Sequence, residues 1–168
     1  MINVILPGYS AHNKEWAEEV AKELKVEGEV RPIFWDHWTD PDSHLKPKEK
    51  SRLIIGVTHG EPVNIIAKSV GTLVAAYIAR EIPDKINKII LCGIPSTSGE
   101  RLKIFQEAFG QISAKRIICF QNEKDPFASP EEISKFMSKV NFKIKVKSMP
   151  RSDHHYPYYT EFNKFLSS

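Results

Sequence analysis

A serine, an aspartate and a histidine stand at the far ends of three apolar runs, in that chain order. Ser69 lies in NIIAKSVGTLVAA (64–76), Asp125 in QNEKDPFASPEE (121–132) and His154 in PRSDHHYPYY (150–159). A serine hydroxyl is a weak nucleophile at neutral pH and needs an adjacent base. Histidine supplies that base, and a carboxylate orients the imidazole. Together the three types read as acyl-transfer machinery: Ser69 attacks, His154 moves the proton and Asp125 holds the ring.

Each residue also has a plainer explanation. A serine between a strand and a helix is a good N-cap, Asp-Pro opens turns, and a histidine before a helix is often a surface residue. Ser69 gains weight from its neighbours. A nucleophile on a tight strand-to-helix corner needs small residues two before and two after it, because the backbone is strained there. Ala67 and Gly71 meet that need. For Lys68 two readings stay open: a long side chain that the corner accommodates, or a cation along the pocket that favours an acidic substrate. Asp153-His154-His155 offers two imidazoles, and His155 is the alternative base.

Short apolar runs alternate with amphipathic ones along the whole chain. Strands are expected at 2–6, 29–35, 63–68, 88–93, 115–120 and 143–148. Helices are expected at 13–25, 46–58, 70–81, 99–110, 130–140 and 157–167. Trp16, Val20 and Leu24, at four-residue spacing, make the apolar face of the first helix. Strands alternating with helices predict a three-layer α/β/α sandwich around a six-stranded, mainly parallel sheet. No linker or repeat divides residues 1–168, so one domain is expected. In such sheets chemistry collects at the carboxyl ends of the strands, where all three candidate residues fall.

Composition narrows the partners. The chain is 41% hydrophobic and 27% charged, with a net charge of +3, as in a soluble globular protein. Basic residues are scattered among acidic ones, so no nucleic-acid face is expected. The run KIKVKSMPR (143–151) alternates lysine with apolar residues, as an exposed edge strand does. The start INVIL is too short and lacks the basic flank of a signal peptide, and no run is long enough to span a membrane. A cytoplasmic protein with no membrane association is expected. Cys92 and Cys119 lie in apolar runs and read as buried hydrophobes. The loop at 36–44 mixes carboxylates with His37 and His44 but matches no metal-ligand spacing. It reads instead as substrate-facing, with Trp35 and Trp38 as candidate walls or as packing. Phe127 is a second candidate for substrate contact. The aromatic cluster at 156–159 reads as packing for the last helix. No cofactor is expected.

Four stretches resemble the α/β-hydrolase superfamily: VILPGYSAHNKEW (4–16), AKSVGT (67–72), NEKDPF (122–127) and DHHYP (153–157). They look most similar to the small, lid-poor serine hydrolases typified by retinoblastoma-binding protein 9 and its bacterial relatives. Ala67 stands where the usual pattern has glycine. The resemblance implies a minimal fold without a large lid, with the first strand between the second and third. It implies a Ser69-Asp125-His154 triad and cleavage of carboxylester, thioester or amide bonds in small acyl substrates. It also points to the backbone N–H groups of Tyr9 and Val70 as the oxyanion hole. A catalytically silent copy of the fold, acting as a protein-interaction module, is the alternative. A nucleotide- or flavin-binding fold would show a glycine-rich loop after the first strand, and Pro7-Gly8-Tyr9-Ser10 lacks that pattern. Protein partners cannot be read from the sequence.

Overall fold

The computed structural model describes residues 1–168. Its six strands are β1 (Ile2–Leu6), β2 (Glu29–Pro32), β3 (Val63–Lys68), β4 (Ile86–Cys92), β5 (Ile117–Asn122) and β6 (Lys145–Met149). They form one sheet in the order β2-β1-β3-β4-β5-β6, with every neighbouring pair parallel. The expected place of β1, between β2 and β3, is the observed one. Six α-helices intervene: α1 (Asn13–Glu23), α2 (Pro47–Val57), α3 (Gly71–Glu81), α4 (Gly99–Phe109), α5 (Pro130–Asn141) and α6 (Tyr159–Leu166).

The two-residue period of the strands builds two cores. Ile2, Val4 and Leu6 of β1, with Ile65 and Ala67 of β3 and Ile89 and Leu91 of β4, face helices α2 to α5. Ile5, Ile66, Ile90 and Cys92 face the other way, against Trp16 and Val20 of α1 and Phe162 and Leu166 of α6. Alternation of this kind is what a sheet buried on both faces demands. Cys92 and Cys119 fall in different cores, both buried and free.

Strand boundaries shift by a few residues from the expected ones, most clearly at β2. It stops at Pro32, whose missing N–H falls on the open edge of the sheet, and the Ile33 N–H still donates to the Ile5 carbonyl at 2.9 Å. The chain beyond Ile33 then leaves the sheet and carries Trp35 down into the main core, where it is 2% exposed. The basic run at 143–151 does supply an edge strand, β6. Helix α5 starts from a capping box: Ser129 Oγ accepts from the Glu132 N–H, and the Glu132 carboxylate accepts from the Ser129 N–H. That cap fixes where the acid loop (123–129) ends. Only residues 93–98 join β4 to α4, so no lid is inserted there.

Candidate active site

Ser69 sits between β3 and α3 with a φ of 55°, a left-handed backbone that β-carbon sterics disfavour. The corner is held on both sides. The Ser69 N–H donates to the Cys92 carbonyl at 2.9 Å. Its own carbonyl accepts from the Thr72 N–H at 3.0 Å and from Thr72 Oγ1 at 2.6 Å. Gly71 makes the corner possible. A β-carbon there would lie 2.2 Å from the Leu6 carbonyl oxygen and 2.8 Å from that of Pro7. The elbow thus packs directly on the end of β1, which brings the loop after β1 to the start of α3.

His154 and Asp125 are joined. Nδ1 of His154 lies 2.6 Å from Oδ2 of Asp125. Because a carboxylate only accepts, Nδ1 carries a proton, and in the neutral ring Nε2 is then the acceptor. Nε2 is buried and has no hydrogen-bond partner within the chain. Asp125 takes two further hydrogen bonds: Tyr156 Oη donates to Oδ2 at 2.6 Å, and the Phe127 N–H donates to Oδ1 at 2.9 Å. Burial pushes the Asp125 carboxyl up, and the donors His154, Tyr156 and Phe127 pull it down. The donors prevail, and the group is more acidic than a free aspartate.

His155 makes no contact with Asp125. Its backbone N–H bonds Asp153 Oδ1, and burial beside Lys68 and Arg151 makes its imidazole less basic than usual. The difference between the two histidines is set by Asn122, the last residue of β5. Its Nδ2 donates to the carbonyls of Asp153 and His155, both at 2.8 Å, clamping the chain on either side of His154. Tyr158 Oη in turn donates to Asn122 Oδ1 at 2.6 Å. Gly93, just beyond β4, leaves room for the ring. Its φ is +58°, and a β-carbon there would lie 2.7 Å from His154 Cε1. Phe127 is 61% exposed, and its ring meets His154 edge-on with centroids 4.6 Å apart. It flanks the imidazole on the solvent side.

The N–H groups of Tyr9 and Val70 have no acceptor within the chain. Val70 precedes the first turn of α3, where N–H groups lack intrahelical partners and the helix dipole favours negative charge. The loop carrying Tyr9 is braced from β2. Trp35 Nε1 donates to the Gly8 carbonyl at 2.9 Å. Trp38 Nε1 and His37 Nε2 both donate to the Tyr9 carbonyl at 2.7 Å, and the Tyr9 and His37 rings stack with centroids 4.4 Å apart. Of the two readings open for Trp35 and Trp38, walls of a pocket or packing, the contacts seen here are packing and bracing. Trp35 is core, and Trp38 packs against that core while its indole N–H grips the loop.

Four contributors were not singled out from the sequence: Asn122, Tyr156, Gly93 and Trp35 in its bracing role. On sequence, Tyr156 reads as packing for the last helix. It is fully buried, but its hydroxyl is spent on Asp125 and on the Asn122 N–H. A tyrosine two residues beyond the histidine was the available signal.

No known protein family's sequence profile matches this chain, and no curated protein matches it. Solved structures do. The chain is similar to XC6422 from Xanthomonas campestris, described as an α/β serine hydrolase without a lid, at a TM-score of 0.67 and 12% identity over 99% of this chain and 78% of that one. It is similar to a YdeN-like hydrolase from Pectobacterium atrosepticum at 0.67 and 16% identity, covering 99% and 91%. A third is the esterase domain of a Rhodothermus marinus protein, at 0.69 and 11% identity, covering 99% and 84%. At these identities the likenesses show the fold and single out no particular relative. With its sheet order, its serine on a left-handed strand-to-helix corner and these structural neighbours, the chain has the α/β-hydrolase fold in a minimal, lid-less form.

Proposed function

We propose that this protein is a serine hydrolase that cleaves carboxylic esters through Ser69, His154 and Asp125. One observation carries the reading most directly. The imidazole bonded to a buried carboxylate presents a bare, buried Nε2, and the serine sits on a strained elbow. Both features lie at strand ends of a fold whose solved examples include esterases and lipases, which supports this reading.

The steps follow from the tautomer. Ser69 Oγ bonds to the ester carbon while its proton passes to His154 Nε2. Asp125 accepts the Nδ1 proton's hydrogen bond throughout and stabilises the imidazolium. The carbonyl oxygen becomes an oxyanion, facing the N–H groups of Val70 and Tyr9. The C–O bond to the alcohol then breaks, and Nε2–H returns its proton to the departing alkoxide. Water repeats the sequence on the acyl-enzyme, releasing the carboxylic acid and regenerating Ser69. Thioesters and activated amides fit the same steps. Without a lid the site is open, which suits small acyl groups better than an enclosed lipid chain. We place the protein in the cytoplasm on the same reading; no helix is long and apolar enough to cross a membrane.

A catalytically silent interaction module is the second reading. The observation in its favour is that Nε2 has no partner, so Ser69 is not hydrogen-bonded to it. Such bonds are often loose until substrate binds. A fluorophosphonate probe decides between them. Covalent labelling of the wild type and not of Ser69→Ala, together with hydrolysis of p-nitrophenyl butyrate, is the expected result. A folded wild type that neither labels nor hydrolyses would establish the silent module.

A further inference from the structure

The residue before the nucleophile is a buried cation without a counter-charge. Lys68 is 6% exposed. Its ammonium has three N–H donors, yet it makes one hydrogen bond, to the neutral Asn13 Oδ1 at 2.7 Å. Its Nζ also lies 5.5 Å from the Trp16 ring centroid. No carboxylate lies within ion-pair distance of it. A charge taken from water in this way is costly unless something pairs with it.

The carboxylates nearby are committed elsewhere. Asp125 is held by His154, Tyr156 and the Phe127 N–H. Asp153 is paired with Arg151. Glu19 accepts from Tyr159 Oη at 2.7 Å. Glu15 is exposed at the rim. Lys68 and His154 both line a cleft of about 400 Å³, whose other walls include Ser10, Asn13, His155 and the carboxylates of Glu15 and Glu19. The cleft thus runs from the imidazole proposed as the base to an ammonium with donors to spare.

We infer that this cleft binds a carboxylate on the substrate, through Lys68, with Ser10 and His155 as further polar contacts. The preferred substrates are then esters that carry a free carboxylate, such as half-esters of short dicarboxylic acids. This inference rests on the hydrolase reading for its substrate class but not for its binding site. Burial depresses the Lys68 ammonium to about 8, so it is mostly charged at neutral pH, and a bound carboxylate would strengthen that charge.

Two measurements test it together. The first compares kcat/KM for p-nitrophenyl hemiglutarate and hemisuccinate with that for p-nitrophenyl butyrate, and for p-acetoxybenzoate with phenyl acetate, in wild type and Lys68→Met. The two pairs place the carboxylate on the acyl and on the alcohol side. We expect the wild type to prefer at least one anionic ester by about ten-fold or more, chiefly through KM, and the preference to collapse in Lys68→Met. The second is calorimetric titration of both proteins with glutarate, which needs no turnover. Wild-type binding that Lys68→Met loses is the expected result. Equal use of charged and neutral esters by the wild type would overturn the inference and leave the hydrolase reading standing. A protein that cleaves no ester but binds glutarate through Lys68 would overturn the hydrolase reading and keep the anion site. Absence of glutarate binding to the wild type would overturn the site. Methionine matches lysine in length and is apolar, so the fold should survive, and the wild-type arms do not depend on it.

Discussion

Trp35 Nε1 donates to the Gly8 carbonyl at 2.9 Å, and this bond sets the direction of the peptide that carries the Tyr9 N–H. The bond between Gly8 and Tyr9 is trans, as every peptide bond in the chain is. In a trans peptide the C=O and N–H point in opposite directions. With the Gly8 carbonyl anchored to a buried indole, the Tyr9 N–H is turned away from the core of β2. An oxyanion donor must be fixed before the charge develops, since reorganising it during the reaction would forfeit its benefit.

Trp35→Phe should therefore act on catalysis through orientation. The ring still fills most of the core position, but the Gly8 carbonyl loses its donor. We expect kcat to fall by about ten-fold or more with KM little changed, alongside a stability loss of about 1–3 kcal/mol. Steady-state kinetics with p-nitrophenyl butyrate separates the two. A KM effect alone would show that Trp35 serves only packing.

Gly93→Ala tests the space reserved for the imidazole. The new methyl would meet Tyr156 Cε2 at 2.6 Å and His154 Cε1 at 2.7 Å, on a backbone of φ +58°. Displacing the ring by an ångström should lower kcat/KM by about a hundred-fold, and fluorophosphonate labelling should slow in parallel. Circular dichroism should show the same secondary structure. Unchanged labelling would mean that the ring has another place to go.

Tyr156→Phe removes one of the donors that hold the Asp125 carboxylate. Its folded-state acidity is raised by His154, Tyr156 and the Phe127 N–H against the effect of burial. A carboxyl with a depressed folded pKa adds stability above its unfolded value, and that stability is lost as pH falls through the folded value. The variant also strands the Asn122 N–H, which donates to Tyr156 Oη at 3.1 Å. Denaturant titrations should show a loss of about 1–3 kcal/mol at pH 7. The part due to Asp125 should shrink below about pH 4, its unfolded range.

Lys68 should destabilise the fold at neutral pH. Its pKa falls from 10.5 to about 8. The charged form is thus disfavoured by folding, with the full cost present below about pH 8, fading towards 10.4 and gone above it. A shift of that size corresponds to about 3 kcal/mol. Lys68→Met should melt several degrees higher than wild type at pH 7 and lose that advantage by pH 10.5. A lower melting point at pH 7 would show that the bond to Asn13 outweighs desolvation.

Much of this was written into local sequence. The small-residue spacing around Ser69 is legible because a strand-to-helix corner tolerates few side chains, and that constraint acts over five residues. Sheet class was legible for a similar reason, since apolar strands and amphipathic helices have distinct periods. The choice of His154 over His155 rests, on sequence, only on the Asp153-His154 pair. The two are adjacent and identical, and Asn122 on another strand decides which ring turns to Asp125. Trp35 and Trp38 were equally ambiguous, because an indole near a loop can face solvent, core or a carbonyl. Only the pairing of β1 with β2 brings them to Gly8 and Tyr9. Lys68 is ambiguous on sequence, since its charge has meaning only against what surrounds it. Local pattern alone says which residue types stand at which strand ends. The tertiary structure decided which of them touch, because hydrogen bonds are short and directional and depend on strand order that no local pattern encodes.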